Sequence, residues 1–175
     1  MEGVKRNKVS LFPHNNEWDE EYQAVRKKIE EVWRDNLLDI QHVGSTAITN
    51  IYAKPILDVA VRLGSIVQMD SDALVRNGYE YIGPRNAGGS YHLFVMRSDE
   101  GLSLRHIHCY DKNEKEFFQL VGFRDYLNEH AEAAKQYEDL KKKLASDFPE
   151  DRVAYTKGKE AFIKGIYHIL DSQGR

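Results

Sequence analysis

The residues of this sequence best suited to chemistry fall in two short stretches. The first, His42 to Val61, reads HVGSTAITNIYAKPILDVAV; it carries a Gly44-Ser45-Thr46 turn, a Lys54-Pro55 step, and Asp58 inside the apolar run Ile56 to Val61. Gly44 lets the backbone approach a ligand closely or take a positive φ, and Ser45 and Thr46 add hydroxyls beside exposed N–H groups. The turn can therefore form a concave donor site for phosphate. The plainer reading is that it only reverses the chain. Asp58 also has two readings. A carboxylate among apolar neighbours is costly unless a hydrogen-bond donor, a cation or a metal meets it, and a strand aspartate can also cap a neighbouring loop. Taken together, a small-residue anion turn followed by a strand-borne acid suits phosphoryl or nucleotidyl chemistry, in which donors hold the phosphates and the acid holds a divalent cation.

The second stretch is Arg105-His106-Ile107-His108. Strand side chains alternate, so Leu104, His106, His108 and Tyr110 share one face and Arg105, Ile107 and Cys109 the other. Two imidazoles beside a strand aspartate offer the ligand types of a divalent-metal site, with His42 at the edge of the turn as a third imidazole. Polar groups on a half-exposed strand, or direct phosphate binding, fit the same pattern. Lys54 and Arg105 are the basic residues closest to these groups in sequence, placed to offset charge developing on a phosphate. Arg124, in Phe123-Arg124-Asp125-Tyr126-Leu127, is a candidate phosphate clamp, though the same charge pair reads as a salt bridge that orients its helix. Tyr155 and Lys159 lie four apart and share a helix face, and Lys159 can neutralise a phosphate if that face meets the site.

The elements that must position these groups follow from periodicity. Residues 9 to 16 read as an extended arm into a turn, with Pro13 blocking an early helix. Trp18, Tyr22, Val25, Ile29, Val32 and Trp33 recur at helical spacing. Strands are expected over 37–43 and 56–61, a helix over 65–77, a short strand over 79–82, and a hairpin of 91–96 with 103–110. Helical spacing returns over 116–129, 131–146 and 151–170, with Pro149 between the last two. The expected architecture is α/β (α+β): one domain over 1–175, with a mixed sheet of about five strands flanked by helices in residues 9–112 and a C-terminal helical portion over 113–172.

Composition excludes several classes. A hydrophobic fraction of 41% and a charged fraction of 30% are those of an ordinary globular protein. A formal net charge of −3 argues against generic nucleic-acid binding. The single cysteine, Cys109, excludes an intramolecular disulfide and a cysteine-rich zinc site, and fits a reducing cytoplasm. No apolar run approaches the roughly 20 residues that span a bilayer, and MEGVKRNKVS lacks the apolar core of a signal peptide. A cytoplasmic location with no membrane partner is expected; oligomeric state is not legible.

The segment His42 to Val61 resembles the signature of the GrpB-like proteins, a bacterial family placed in the nucleotidyltransferase superfamily. The resemblance continues through Val9-Ser10-Leu11-Phe12-Pro13, Trp18, Arg105 to His108, Phe123 to Leu127 and Ala154-Tyr155. It implies a nucleotidyltransferase-like fold. In that superfamily a Gly-Ser turn precedes a strand carrying two acids, one residue apart, that hold two metal ions. Gly44 and Ser45 match the turn and Asp58 the first acid, but Ala60 stands where the second belongs and cannot bind a metal. The family carries a similar His-x-His where other nucleotidyltransferases place a third acid, so the resemblance implies a mixed Asp58, His106 and His108 site with His42 nearby. Such nitrogen-rich ligands favour zinc or manganese over magnesium.

The implied function is a nucleotidyltransferase-like protein that binds a nucleoside triphosphate or related phosphate ligand. Gly44, Ser45, Thr46 and Arg124 would meet phosphates, and Asp58, Lys54 and Arg105 would serve transfer to an acceptor the sequence does not reveal. Two alternatives stay open. One is a non-catalytic accessory module for a nucleotide or coenzyme A-type ligand, which the fusion of some GrpB-like domains to dephospho-coenzyme A kinase suggests. The other is a metal-dependent phosphohydrolase with water as acceptor. The loss of an acid at Ala60 favours binding alone; Asp58 with both histidines favours chemistry.

Overall fold

In the computed structural model, which describes residues 3–5 and 8–174, the apolar stripe Trp18, Tyr22, Val25, Ile29 and Trp33 buries one face of helix α1 (Glu17–Trp33). Each aliphatic side chain so buried favours folding by about 1.5–3 kcal/mol. Asn15 opens the helix by accepting the Glu17 N–H at 2.9 Å, and Glu17, Asp19 and Glu20 place negative charge at its positive end.

The chain then forms β1 (Leu37–Val43), a single 3-10 turn (Ser45–Ala47), β2 (Leu57–Leu63), a second 3-10 turn (Ile66–Gln68), α2 (Ser71–Val75), β3 (Glu80–Pro84), β4 (Tyr91–Arg97) and β5 (Ser103–Asp111). Four helices follow: α3 (Lys115–Glu129), α4 (Ala131–Asp147), α5 (Arg152–Gly158) and α6 (Glu160–Ser172). The five strands make one mixed sheet in the order β1-β2-β5-β4-β3. Only the central β2–β5 pair is parallel, and its register sets Asp58 beside His106 and Ala60 beside His108. The connection between these two parallel strands runs through α2, β3 and β4.

Strand alternation divides the sheet into two faces. Leu57, Val59, Val61 and Leu63 of β2, with Ile107 and Cys109 of β5, pack against α1. Ala60 and Tyr110 turn the other way, onto Val43 and Phe117 of α3. Asp58 therefore faces the C-terminal helices. A third cluster, built from Ile48, Ile51, Phe123, Leu127, Tyr137 and Ile166, fastens the linker after the Gly44 turn to α3, α4 and α6. The arm bonds to the same linker, Phe12 and Ala53 exchanging both backbone hydrogen bonds, which fixes the chain just before Lys54.

Two expected helices are divided. Over 65–77, Asp70 caps a new helix by accepting the Ala73 N–H at 3.2 Å, while the Ile66 N–H is taken by the Asp111 carboxylate of β5. Over 151–170, the chain breaks between α5 and α6 at Lys159. Gly158, just before that break, packs so closely on α4 that a Cβ would lie 2.4 Å from Leu144 Cδ2. Among the described residues no helix is long and apolar enough to cross a membrane.

Candidate functional site

Asp58 sits opposite His106 across the parallel ladder, and strand parity turns His108 to the same face. Asp58 Oδ1 lies 3.1 Å from His106 Nδ1 and 3.2 Å from His108 Nε2. One ligating atom from each residue lies within 4.8 Å of the others, and among the described residues this is the group of acids and imidazoles disposed to hold a metal. Burial would raise the Asp58 pKa, but the hydrogen bonds and charge of the two imidazoles outweigh it. They hold the carboxyl well below the usual range, hence ionised. His108 is itself held from behind: its Nδ1 lies 2.8 Å from the Tyr91 hydroxyl, and the Tyr91 ring stacks on Tyr110. That support directs Nε2 toward Asp58.

The Gly44 turn packs directly on this carboxylate. Gly44 has φ +72°, and a Cβ there would meet Asp58 Oδ2 at 2.6 Å, so both backbone and space require glycine. Ser45 follows it into a cleft of about 290 Å³ shared with Asp58, His106 and His108. Phe123, Tyr137 and Tyr167 give the cleft an aromatic wall. Burial pushes the Tyr137 phenol up to about 12, against a hydrogen bond with Ser45 that pulls the other way.

Lys54 lines the same cleft, and so do Arg152, Thr156 and Lys159 from α5 and its end. Burial lowers Lys54 to about 7, with Lys159 and Arg152 repelling its charge and Asp58 opposing the shift. Lys159 falls to about 8 through burial, with Asp58 again opposing and Arg152 adding to the fall. Both ammonium groups rest over the Tyr155 ring, at 5.0 Å and 4.6 Å.

Of the residues singled out from sequence, the structure gathers Gly44, Ser45, Lys54, Asp58, His106, His108 and Lys159 around the cleft and gives Thr46, His42, Arg105 and Arg124 different surroundings. Thr46 is fully buried, its hydroxyl 2.9 Å from His42 Nε2 and donating to the Ile56 carbonyl at 3.4 Å. His42 stacks on Tyr22, with Nδ1 3.5 Å from Asp19; burial carries its pKa down to about 4, so the ring is neutral. Arg105 lies on the α1 side of the sheet and pairs with Glu21. Arg124 donates to Gln41 Oε1 at 2.9 Å, to the His42 carbonyl at 2.7 Å and to Asp125, which docks α3 on β1. Ala60, in the second-acid position, is fully buried among Val43, Tyr110 and Phe117. Sequence reading passed over Arg152 and Thr156, whose spacing with Lys159 was the available signal.

Known proteins match this chain along most of its length. The model of the family described as GrpB protein matches residues 8–168. Glutamate-rich protein GrpB of Alkalihalophilus pseudofirmus is 33% identical over 175 residues, covering 97% of this chain and 100% of that protein. Protein YqkA of Bacillus subtilis is 30% identical over 161 residues; the match takes in 91% of this chain but only 46% of YqkA. The crystal structure of GrpB from Enterococcus faecalis superimposes with a TM-score of 0.85 at 29% identity, over 95% of this chain and 100% of that one. The Cid1 poly(U) polymerase, solved with MgGTP, superimposes with a TM-score of 0.51 at 16% identity, over 79% of this chain and 44% of Cid1, a likeness of fold alone. With the match running from the N-terminal arm into α6, this chain belongs to the GrpB family.

Proposed function

We propose that this protein binds a nucleoside triphosphate together with a divalent metal and transfers its nucleotidyl group to an acceptor. The observation that supports this most directly is the convergence of Asp58, His106 and His108 on one cleft that also holds the Gly44-Ser45 turn and Lys54. The donor set fits a transition metal: one ionised carboxylate oxygen and two imidazole nitrogens, one of them backed by Tyr91. Such an ion, when bound, polarises a phosphate for attack. Ser45 and the turn amides hold phosphate oxygens, Lys54 offsets charge on them, and the aromatic wall keeps water from the reacting end. The chain works as one unit, its sheet-bearing core of residues 9–112 carrying the acid and imidazoles and the helices of 113–172 closing the cleft. Nucleotide recognition by the Cid1 neighbour, solved with MgGTP, is consistent with this reading.

A second reading is favoured by Ala60. Its burial in an apolar cluster leaves no room for a second acid on β2, which suits a module that binds a nucleotide or coenzyme A-type ligand without catalysis. Elemental analysis of the purified protein, with a thermal-shift screen of nucleoside triphosphates and coenzyme A with and without manganese, magnesium or zinc, separates the two. Nucleotidyl transfer predicts a stoichiometric metal lost in Asp58→Ala and His108→Ala, a metal-dependent nucleotide shift, and pyrophosphate release. A nucleotide shift that needs no metal and survives Asp58→Ala rejects it in favour of the binding module.

A further inference from the structure

The cleft carries a charge imbalance that the metal-binding residues do not account for. Lys54 comes from the linker fixed by the Phe12–Ala53 bridge, while Arg152 and Lys159 come from α5 and its end, so two separate segments deliver three cations to one cavity. Arg152, Thr156 and Lys159 are spaced i, i+4 and i+7, which puts all three on one helical face. Among the described residues none of the three cations has a carboxylate partner, whereas Arg105, Arg124 and Lys142 are paired with Glu21, Asp125 and Glu138. Lys54 and Lys159 have instead only the shared Tyr155 ring beneath them.

Unpaired cations drawn from water are costly, and like charges in one cavity add repulsion. Among the described residues the only carboxylate lining the cleft, Asp58, is already engaged by two imidazoles. Burial lowers both lysine ammonium groups; repulsion from Lys159 and Arg152 adds to the fall at Lys54 and repulsion from Arg152 adds to it at Lys159, with Asp58 opposing at both. An anion is the missing partner. A single phosphate group carries about −1.5 to −2 charges at neutral pH and leaves three cations undercompensated, whereas a di- or triphosphate chain both matches the charge and spans separate donors.

We propose that Lys54, Arg152 and Lys159, with the Thr156 hydroxyl, form a subsite for a linear polyphosphate, taking the terminal phosphates of the ligand. The subsite deepens the nucleotidyl-transfer reading by naming what grips the leaving pyrophosphate, yet it needs neither the metal nor the base. The test is titration calorimetry on the full chain in the presence of a chelator, at fixed ionic strength, with orthophosphate, pyrophosphate and tripolyphosphate. Tripolyphosphate and pyrophosphate are expected to bind at least about tenfold more tightly than orthophosphate. Lys159→Met and Arg152→Met should each weaken them about tenfold or more. Lys157→Met, the same charge change on the exposed side of α5, should leave binding unchanged. Equal affinity for all three anions, or equal weakening by Lys157→Met, overturns the subsite. So does metal-dependent nucleotide binding that is indifferent to Lys159→Met and Arg152→Met, a result that spares the nucleotidyl-transfer reading. Chelator-resistant tripolyphosphate binding without any metal or nucleotide response does the reverse. Thermal melts of each variant exclude loss of fold as the cause.

Discussion

An imidazole that offers one nitrogen to Asp58 must have its other nitrogen accounted for, and at His108 that account is Tyr91. The Tyr91 hydroxyl lies 2.8 Å from His108 Nδ1 and its ring is stacked on Tyr110, so the support is rigid as well as polar. Tyr91→Phe keeps the stack and removes the hydroxyl. It should lower zinc or manganese affinity by about 10–100-fold, read by competition with a chromophoric chelator, with little change in melting temperature. Unaltered affinity would mean that Tyr91 only packs. At this scale the sequence was informative where a residue broke a local rule. A carboxylate in an apolar run demanded a partner, and strand parity put His106 and His108 together. The same parity sent Arg105 to the α1 face, where Glu21 meets it, despite its closeness in sequence to the histidines. His42 was beyond such reasoning because its fate depends on Tyr22 and Asp19, which only tertiary packing brings near.

Helix α3 is the element that ties the C-terminal helices to the sheet edge, and Arg124 is its fastening. One guanidinium reaches the Gln41 side chain, the His42 carbonyl and Asp125 together, the planar fork that a lysine cannot reproduce. Arg124→Met should destabilise the fold by about 1–3 kcal/mol in urea denaturation, with tripolyphosphate affinity unchanged. A loss of anion affinity at preserved stability would instead make Arg124 a phosphate clamp. Sequence periodicity located α1, the strands and the starts of α3, α4 and α5. It missed the division of 65–77, because the Asp111 carboxylate that takes the Ile66 N–H comes from a distant strand. It also missed the break at Lys159, across which the hydrophobic period runs unbroken. That break puts Lys159 on the cleft while Ile166 joins Phe123 and Tyr137 in the core.

At the scale of the whole molecule, the site depends on β2 and β5 being parallel neighbours, an adjacency that no local pattern encodes. The same convergence concentrates positive charge, and that makes stability depend on pH. Burial first, then neighbouring cations, brings Lys54 and Lys141 from 10.5 to about 7, and burial brings Lys159 to about 8. Asp58 opposes the shift at Lys54 and Lys159, and Glu138 opposes it at Lys141. Arg152 and Lys142 reinforce it, and Tyr155 and Tyr137 lie under the ammonium groups. Between about pH 7 and 10.5 the unfolded chain therefore holds more protons than the folded one, so the ligand-free protein should gain stability as pH rises through that window. A polyphosphate reverses the balance by favouring the charged lysines. Its thermal stabilisation should be largest near pH 7 and shrink toward pH 10, and the shrinkage should be shallower in Lys159→Met. Melting curves with and without tripolyphosphate across that range provide the measurement. A ligand shift that stays constant with pH would mean that the lysines remain charged throughout, and that the cleft pays no electrostatic penalty for holding them.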